Sequence, residues 1–197
     1  MMRAGVLAVQ GDFAEHEKML ARIGATYAEI RKKEDLLRSY DALIFPGGES
    51  TVMEKLIGDL GMKEELVELI EGGIPVLATC AGLILLSEKV TEGIGSGNRR
   101  EDERPGLLST LPVTASRNAY GRQLASFHTE DEMAGIGNVP MTFIRAPYIT
   151  DVSDETDILA RTGGAIVAVR FKNQLAMSFH PELDDDPRIY EHFAKGL

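Results

Sequence analysis

The chain has 197 residues, 44% of them hydrophobic and 26% charged, a balance that suits a globular protein with a substantial core. A formal net charge of −10 provides no basic face for nucleic acid or an anionic membrane, so neither is expected as a partner. The single cysteine excludes an internal disulfide framework and fits a reducing compartment. The opening MMRAGVLAVQGD has too short an apolar run for a signal peptide, and no stretch reaches the roughly 20 apolar residues of a membrane span, so the expected location is cytoplasmic.

In chain order, AGVLAVQ (4–10) is a short apolar run that reads as a strand buried on both faces. DFAEHEKMLARIG (12–24) reads as a helix with Phe13, Met19, Leu20 and Ile23 on one face and Gly24 as its stop. His16 lies there among charged residues, and a solvated position is expected for it, as for His192. TYAEIR and DALIFPGG carry the next strands. STVMEKLIGDLGMKEELVELIEGG reads as one or two helices, broken near Gly58 and Gly61. IPVLAT is a further buried strand, and the apolar segment after Cys80 is helical. This alternation implies right-handed crossovers and an α/β fold with an open, mostly parallel sheet. Sites then form at the carboxyl ends of the strands: after Gln10, at PGGES (46–50) and at Cys80.

The C-terminal third changes character. LPVTASRN, QLASFHTE, PMTFIRAPYI, GAIVAVRFKN and QLAMSFH are short, strand-like and closely spaced, with turn signals such as Gly163-Gly164. They predict antiparallel additions to the sheet, closed by a helix in DPRIYEHFAKGL. EGIGSGNRREDERPG (92–106) is polar and Gly-rich and reads as an exposed loop.

Cys80 sits at a predicted strand-to-helix junction with small residues, Ala78 and Gly82, two positions to either side. A tight junction of this kind exposes the side chain at the sheet edge and aims the following backbone N–H groups, beginning with Ala81, at whatever the sulfur attacks. A helix N-terminus also favours thiolate. A packed, inert thiol is the competing reading. A nucleophilic thiolate needs a base, and His180 is set apart from the other histidines by Glu182 two residues on. In an extended segment the two side chains share a side, and a carboxylate on one ring nitrogen leaves the other for the thiol. A surface ion pair is the alternative. His128 has no evident orienting partner.

PGGES follows a strand and opens a helix whose Thr51-x-x-Glu54 resembles a capping box. Its glycines can turn N–H groups toward an oxyanion or carboxylate. A phosphate loop lacks its Gly-Lys-Ser/Thr, and a plain turn remains open. Arg117 and Arg122 lie in RNAYGRQ and Arg145 in FIRAP, and an arginine embedded in an apolar strand is costly unless paired, so it either meets a buried carboxylate or helps frame a site. Asp184-Asp185-Asp186 lacks calcium-loop spacing and reads as a solvated helix start.

The order of these pieces, a Gly-Gly loop, a cysteine elbow and a distant His-Pro-Glu, resembles the class I glutamine amidotransferase family. GVLAVQGDFAEH, PGGEST, TCAGLILL, RNAYGRQ, FIRAP and SFHPEL together are similar to the glutaminase subunits of pyridoxal 5′-phosphate synthase. RNAYGRQ and FIRAP discriminate against relatives that feed other acceptors. The resemblance implies a single glutaminase domain over 1–197 on a flavodoxin-like, three-layer sheet. It makes Cys80 the nucleophile, His180 the base and then acid, and Glu182 the orienting carboxylate. Gly48, Glu49, Ser50, Arg117, Ile144 and Arg145 would contact L-glutamine. The oxyanion would lie between the N–H of Ala81 and one from Gly47-Gly48, and Gln10 would lie near that loop and the partner surface. Ammonia would pass to a synthase subunit in a large hetero-oligomer, with neither metal nor organic cofactor in this subunit. Low activity before the partner binds would follow from a flipped peptide in the glycine loop.

Overall fold

In the computed structural model, residues 1–92, 103–117 and 126–196 are described. Most of the predicted polar loop and of RNAYGRQ, including Arg122, lies outside them. The first part of the chain forms β1 (Arg3–Leu7), α1 (Phe13–Arg22), β2 (Thr26–Ile30), β3 (Ala42–Phe45), α2 (Ser50–Asp59), α3 (Lys63–Glu71), β4 (Val76–Thr79) and α4 (Ala81–Leu86). The strands are four or five residues long, and β3 and β4 are buried at every position. Burial on both faces is what a covered parallel strand requires.

From Ser87 the chain is mostly strand: β5 (Ser87–Glu92), β6 (Arg104–Pro105), β7 (Leu111–Arg117), β8 (Ser126–Met133), β9 (Gly137–Ile144), β10 (Tyr148–Val152), β11 (Asp157–Thr162), β12 (Ala165–Phe171) and β13 (Gln174–Met177). A 3-10 turn at Pro181–Leu183 and α5 (Arg188–Lys195) follow. The sheet runs β2-β1-β3-β4-β13-β12-β10-β7-β5-β6. Its β2-β1-β3-β4-β13 half is parallel throughout. This is the flavodoxin-like order, with the last strand of the chain in the fifth place. Beyond β13 the pairing turns antiparallel, apart from the parallel β5–β7 pair. The β8–β9 hairpin hangs from β11 at the side of this sheet.

Alternation along the parallel strands divides the core in two. Leu7, Leu43 and Phe45 face Met53, Ile57, Leu66 and Ile70 of α2 and α3. Val6, Ile44 and Leu77 face Met19 and Leu20 of α1 and Ile189, Tyr190 and Phe193 of α5. The three layers are therefore helices, sheet, helices. Burying these side chains contributes on the order of 2 kcal/mol each, which is why the alternation sets the register so firmly.

Local details differ from the sequence reading for identifiable reasons. The helical segment after PGGES breaks between Asp59 and Lys63, so Gly58 stays inside α2. Glu49, not Thr51, caps α2: its carboxylate accepts from the Thr51 N–H at 3.3 Å. Glu54 instead pairs with Arg104 of β6 at 2.9 Å. The helix after Cys80 is short because Ser87 begins a strand, and the Ser87 hydroxyl donates back to the Leu83 carbonyl at 2.7 Å. β11, in DILART, carries little apolar alternation and is set by its pairing with β12.

Candidate active site

The carboxyl ends of β1, β3, β4 and β13 converge on one cavity of about 340 Å³. Cys80 follows β4 directly. Its backbone has φ 46 and ψ −101, a region a β-carbon disfavours, and its N–H donates to the Met177 carbonyl at 2.8 Å. Strain held in place by a neighbouring strand marks a positioned side chain. Gly82 makes the turn possible: a Cβ there would stand 2.8 Å from the Phe45 Cβ and nearer still to the Phe45 carbonyl oxygen.

His180 follows β13, and its N–H donates to the Thr142 carbonyl of β9 at 2.8 Å. Its Nδ1 is 2.7 Å from Glu182 Oε1. The two side chains meet through the 3-10 turn that begins at Pro181, not through the extended segment the sequence suggested. His180 is 3% and Glu182 5% exposed. The Nε2 of His180 is buried, faces the cavity that Cys80 also lines, and has no hydrogen-bond partner among the described residues.

Burial, the largest single influence, disfavours the charged form of each group. For His180 it is outweighed by the Cys80 sulfur and then the Glu182 carboxylate, which hold its pKa at about 10. For Glu182 it is outweighed by His16 and then His180, which hold its pKa at about 2. A buried imidazole held between a sulfur and a carboxylate is the arrangement that a sulfur nucleophile and its base require.

The matching family model is the SNO glutamine amidotransferase family, over residues 6–197. The chain belongs to that family. It is 52% identical over 196 residues to the pyridoxal 5′-phosphate synthase subunit PdxT of Desulfitobacterium hafniense strain DSM 10664 / DCB-2, covering 100% of this chain and 94% of that one. The protein of the same name from Methanocorpusculum labreanum is 51% identical, with 100% and 98% covered. A crystal structure described as a glutamine amidotransferase superposes with a TM-score of 0.87 at 41% identity, covering 98% of this chain and 99% of that one. PurLQS of Thermotoga maritima shares the fold, with a TM-score of 0.73 at 13% identity and 100% and 99% covered.

In this glutamine amidotransferase, Gly48, Glu49, Ser50, Cys80 and His180 line the cavity, and so do Arg117, Ile144 and Arg145. Glu182 lies behind His180, Gly47 packs against its ring, and Ala81 is buried under the elbow. The arginines are less buried than an apolar strand implies. Arg145 lies just past β9 at φ 43 and is exposed, and Arg117 keeps a fifth of its side chain in solvent. Arg117 meets Glu92 at 3.1 Å and Glu49 at 3.4 Å. Gln10 accepts from the Glu49 N–H at 2.9 Å, tying the first loop to the glycine loop. The Gly47 carbonyl accepts from the Asp12 N–H at 3.0 Å, so rotating the Gly47–Gly48 peptide costs that bond.

Sequence reasoning missed three groups. Asp12 lines the cavity with Oδ2 3.8 Å from His180 Nδ1. Ligand atoms of Asp12, His180 and Glu182 come within 4.8 Å of one another, close enough to hold a cation, and the His180 Nδ1 here faces Glu182 Oε1 at 2.7 Å. His16 is not solvated: it is fully buried between Glu182, Thr79 and Tyr190. His128 does have a partner, with Nδ1 3.0 Å from Thr142 Oγ1, which in turn donates to Asp184 at 2.8 Å. The aspartate run divides its work, for Asp185 meets Arg22 and Asp186 accepts from the Arg188 N–H.

Proposed function

We propose that this chain, a single glutaminase domain over residues 1–197, hydrolyses L-glutamine to L-glutamate and ammonia and delivers the ammonia to a synthase subunit that forms pyridoxal 5′-phosphate. Its relatives at 51–52% identity carry the name of that synthase's subunit over the full length of this chain. The observation that carries the chemistry is Cys80 on its strained elbow beside a buried His180 whose free Nε2 faces the same cavity.

The Cys80 sulfur attacks the carboxamide carbon of glutamine and forms a C–S bond. The carbonyl electrons move to oxygen, held by the N–H of Ala81 and one from the Gly47–Gly48 loop. The oxyanion collapses, the C–N bond breaks, and His180 Nε2–H supplies the proton that lets ammonia leave. Water then attacks the thioester, His180 takes its proton, and the C–S bond breaks to release glutamate and restore the thiolate. Glu182 stays ionised and holds the His180 Nδ1 proton throughout.

Glutamine is a zwitterion at its amino-acid end. Glu49 suits its ammonium, while Arg117 and Arg145 suit its carboxylate, with Gly48, Ser50 and Ile144 shaping the space between. The mechanism calls for no metal or organic cofactor. The setting is a cytoplasmic hetero-oligomer with the synthase, free of membrane and nucleic acid; no helix among the described residues is long and apolar enough to cross a membrane.

An assay of ammonia and glutamate, with and without the synthase subunit, tests this reading. Turnover that rises strongly on adding the partner is expected. No turnover in either condition overturns the enzyme reading, and equal rates overturn activation by the partner.

A further inference from the structure

Behind Glu182 lies a polar chain that takes no part in the bond-making and bond-breaking steps. Glu182 Oε1 takes more than the His180 bond. Thr79 Oγ1, at the last residue of β4, stands 3.5 Å away, and His16 Nε2, from α1, stands 3.4 Å away. His16 Nε2 is also 3.1 Å from Thr79 Oγ1. On its other side, His16 Nδ1 is 2.7 Å from the Tyr190 hydroxyl of α5. His16, Thr79 and Tyr190 are each 0% exposed.

The proton directions follow from satisfaction. Burial drives the Tyr190 phenol well above its ordinary pKa, so it keeps its proton. That proton goes to His16 Nδ1, the acceptor beside it, and the imidazole proton then sits on Nε2. His16 Nε2–H points to Thr79 Oγ1 and Glu182 Oε1, and the Thr79 hydroxyl donates to Glu182 Oε1. Every donor in the chain thus runs toward one carboxylate oxygen, whose remaining contact is the His180 Nδ1–H. Glu182 Oε2, by contrast, is buried with no hydrogen-bond partner among the described residues. A carboxylate with all its donors on one oxygen resists rotation about its own axis, because turning it would break the whole set at once.

Resting on the glutaminase reading above, we propose that His16 and Tyr190 are positioning residues for glutamine hydrolysis, holding Glu182 Oε1 on the His180 imidazole through a buried Tyr190–His16–Thr79–Glu182 chain. They touch neither substrate nor the reacting atoms. Their effect belongs in kcat, because the substrate cavity is lined by other residues. It also belongs in the pH profile. The titratable groups around Glu182 come from five places: His16 on α1, Tyr190 on α5, His180 after β13, Cys80 after β4 and Asp12 after β1. Loosening Glu182 removes part of what keeps His180 protonated, so the alkaline limb of activity moves to lower pH.

The test compares wild type, His16→Leu, His16→Gln and Tyr190→Phe, each assembled with the synthase subunit. The readouts are kcat, KM for glutamine, the pH dependence of kcat/KM, and the pH dependence of Cys80 alkylation by iodoacetamide. The expected loss in kcat for His16→Leu is about 10- to 100-fold, by analogy with groups that orient the ligands of a metal, with KM unchanged, the alkaline limb of kcat/KM shifted down and the pH profile of Cys80 alkylation displaced from that of wild type. His16→Gln retains an N–H where Nε2 stood and recovers most of the rate. Tyr190→Phe keeps the ring packing and loses only the hydrogen bond donated to His16 Nδ1, and a smaller loss of the same kind is expected. Wild-type kcat and pH profiles in His16→Leu overturn the proposal. So does a loss of kcat with unmoved profiles and no recovery in His16→Gln, which marks a packing role alone. Should His16→Leu fail to fold, Tyr190→Phe decides, and an unchanged rate and limb there overturn it. Absence of turnover in wild type strikes at the glutaminase reading instead, while the alkylation profile still reports on the chain.

Discussion

Gly47 packs directly against the His180 imidazole: a Cβ on Gly47 would stand 2.9 Å from Nδ1 and closer still to Cε1. The loop after β3 and the His180 side chain after β13 are therefore one packed unit. Gly47→Ala must displace the ring or the loop. A shift of about 1 Å in a reacting group costs about 100-fold in rate. We expect kcat to fall by that order while the fold survives, measured by ammonia release with the partner present and by thermal unfolding. A fully active Gly47→Ala enzyme would contradict the packing.

Removing Cys80, the proposed nucleophile, should be more severe than removing Glu182, the proposed orienting carboxylate. Cys80→Ala is expected to abolish ammonia release, a loss on the order of 10⁶-fold, with the fold and partner binding retained. Glu182→Gln is expected to cost less, on the order of 10⁴-fold, because the amide still occupies the site but its tautomer demand is wrong. Steady-state glutaminase assays rank the two. A larger loss from Glu182→Gln than from Cys80→Ala reverses their roles.

Stability should depend on pH through the same pair. The folded-state pKa of His180 is raised from 6.5 to about 10. Its contribution is full below pH 6.5 and is lost as pH rises toward 10. The pKa of Glu182 is lowered from 4.5 to about 2, so its contribution is full above pH 4.5 and is lost as pH falls toward 2. Thermal unfolding across pH 6.5–10 should show the alkaline decline in wild type. Cys80→Ala removes the strongest influence raising the His180 pKa and should flatten that decline. An unchanged slope in Cys80→Ala would disprove the sulfur–imidazolium coupling.

The elbow has its own steric test. A Cβ at Gly82 would press on Phe45 at the end of β3. Overpacking against backbone costs about 1–3 kcal/mol. Gly82→Ala is expected to lower stability by that amount in denaturant titration and to lower kcat, since Cys80 moves with the turn. Unchanged stability would mean the strand ends yield more easily than their burial implies.

Much of the site was legible because its signals are local. Cys80 is unique, its flanking residues are small, and His180 and Glu182 sit two apart. The way Glu182 reaches His180 was not legible, because a one-turn 3-10 helix leaves no periodic mark in three residues. His16 was misread from its charged neighbours. A signal was present: His16 lies three and four residues before Met19 and Leu20, on the buried stripe of α1. Helical spacing outranks local composition there. The Asp12 contact had no comparable signal, since it depends on a loop meeting a strand end more than 160 residues away.

Sequence by itself determined the alternation of strand and helix, the apolar β3 and β4, and the chemistry available in Cys80, His180 and Glu182. These follow from side-chain periodicity and residue type, which act over a few positions. Tertiary structure alone decided that β13, near the end of the chain, joins the parallel half beside β4 and brings His180 to Cys80. It alone turned His16 and Tyr190, 174 residues apart, into one buried pair behind Glu182. Such encounters are set by sheet order and by the satisfaction of polar groups once water is gone, and neither quantity belongs to any one segment.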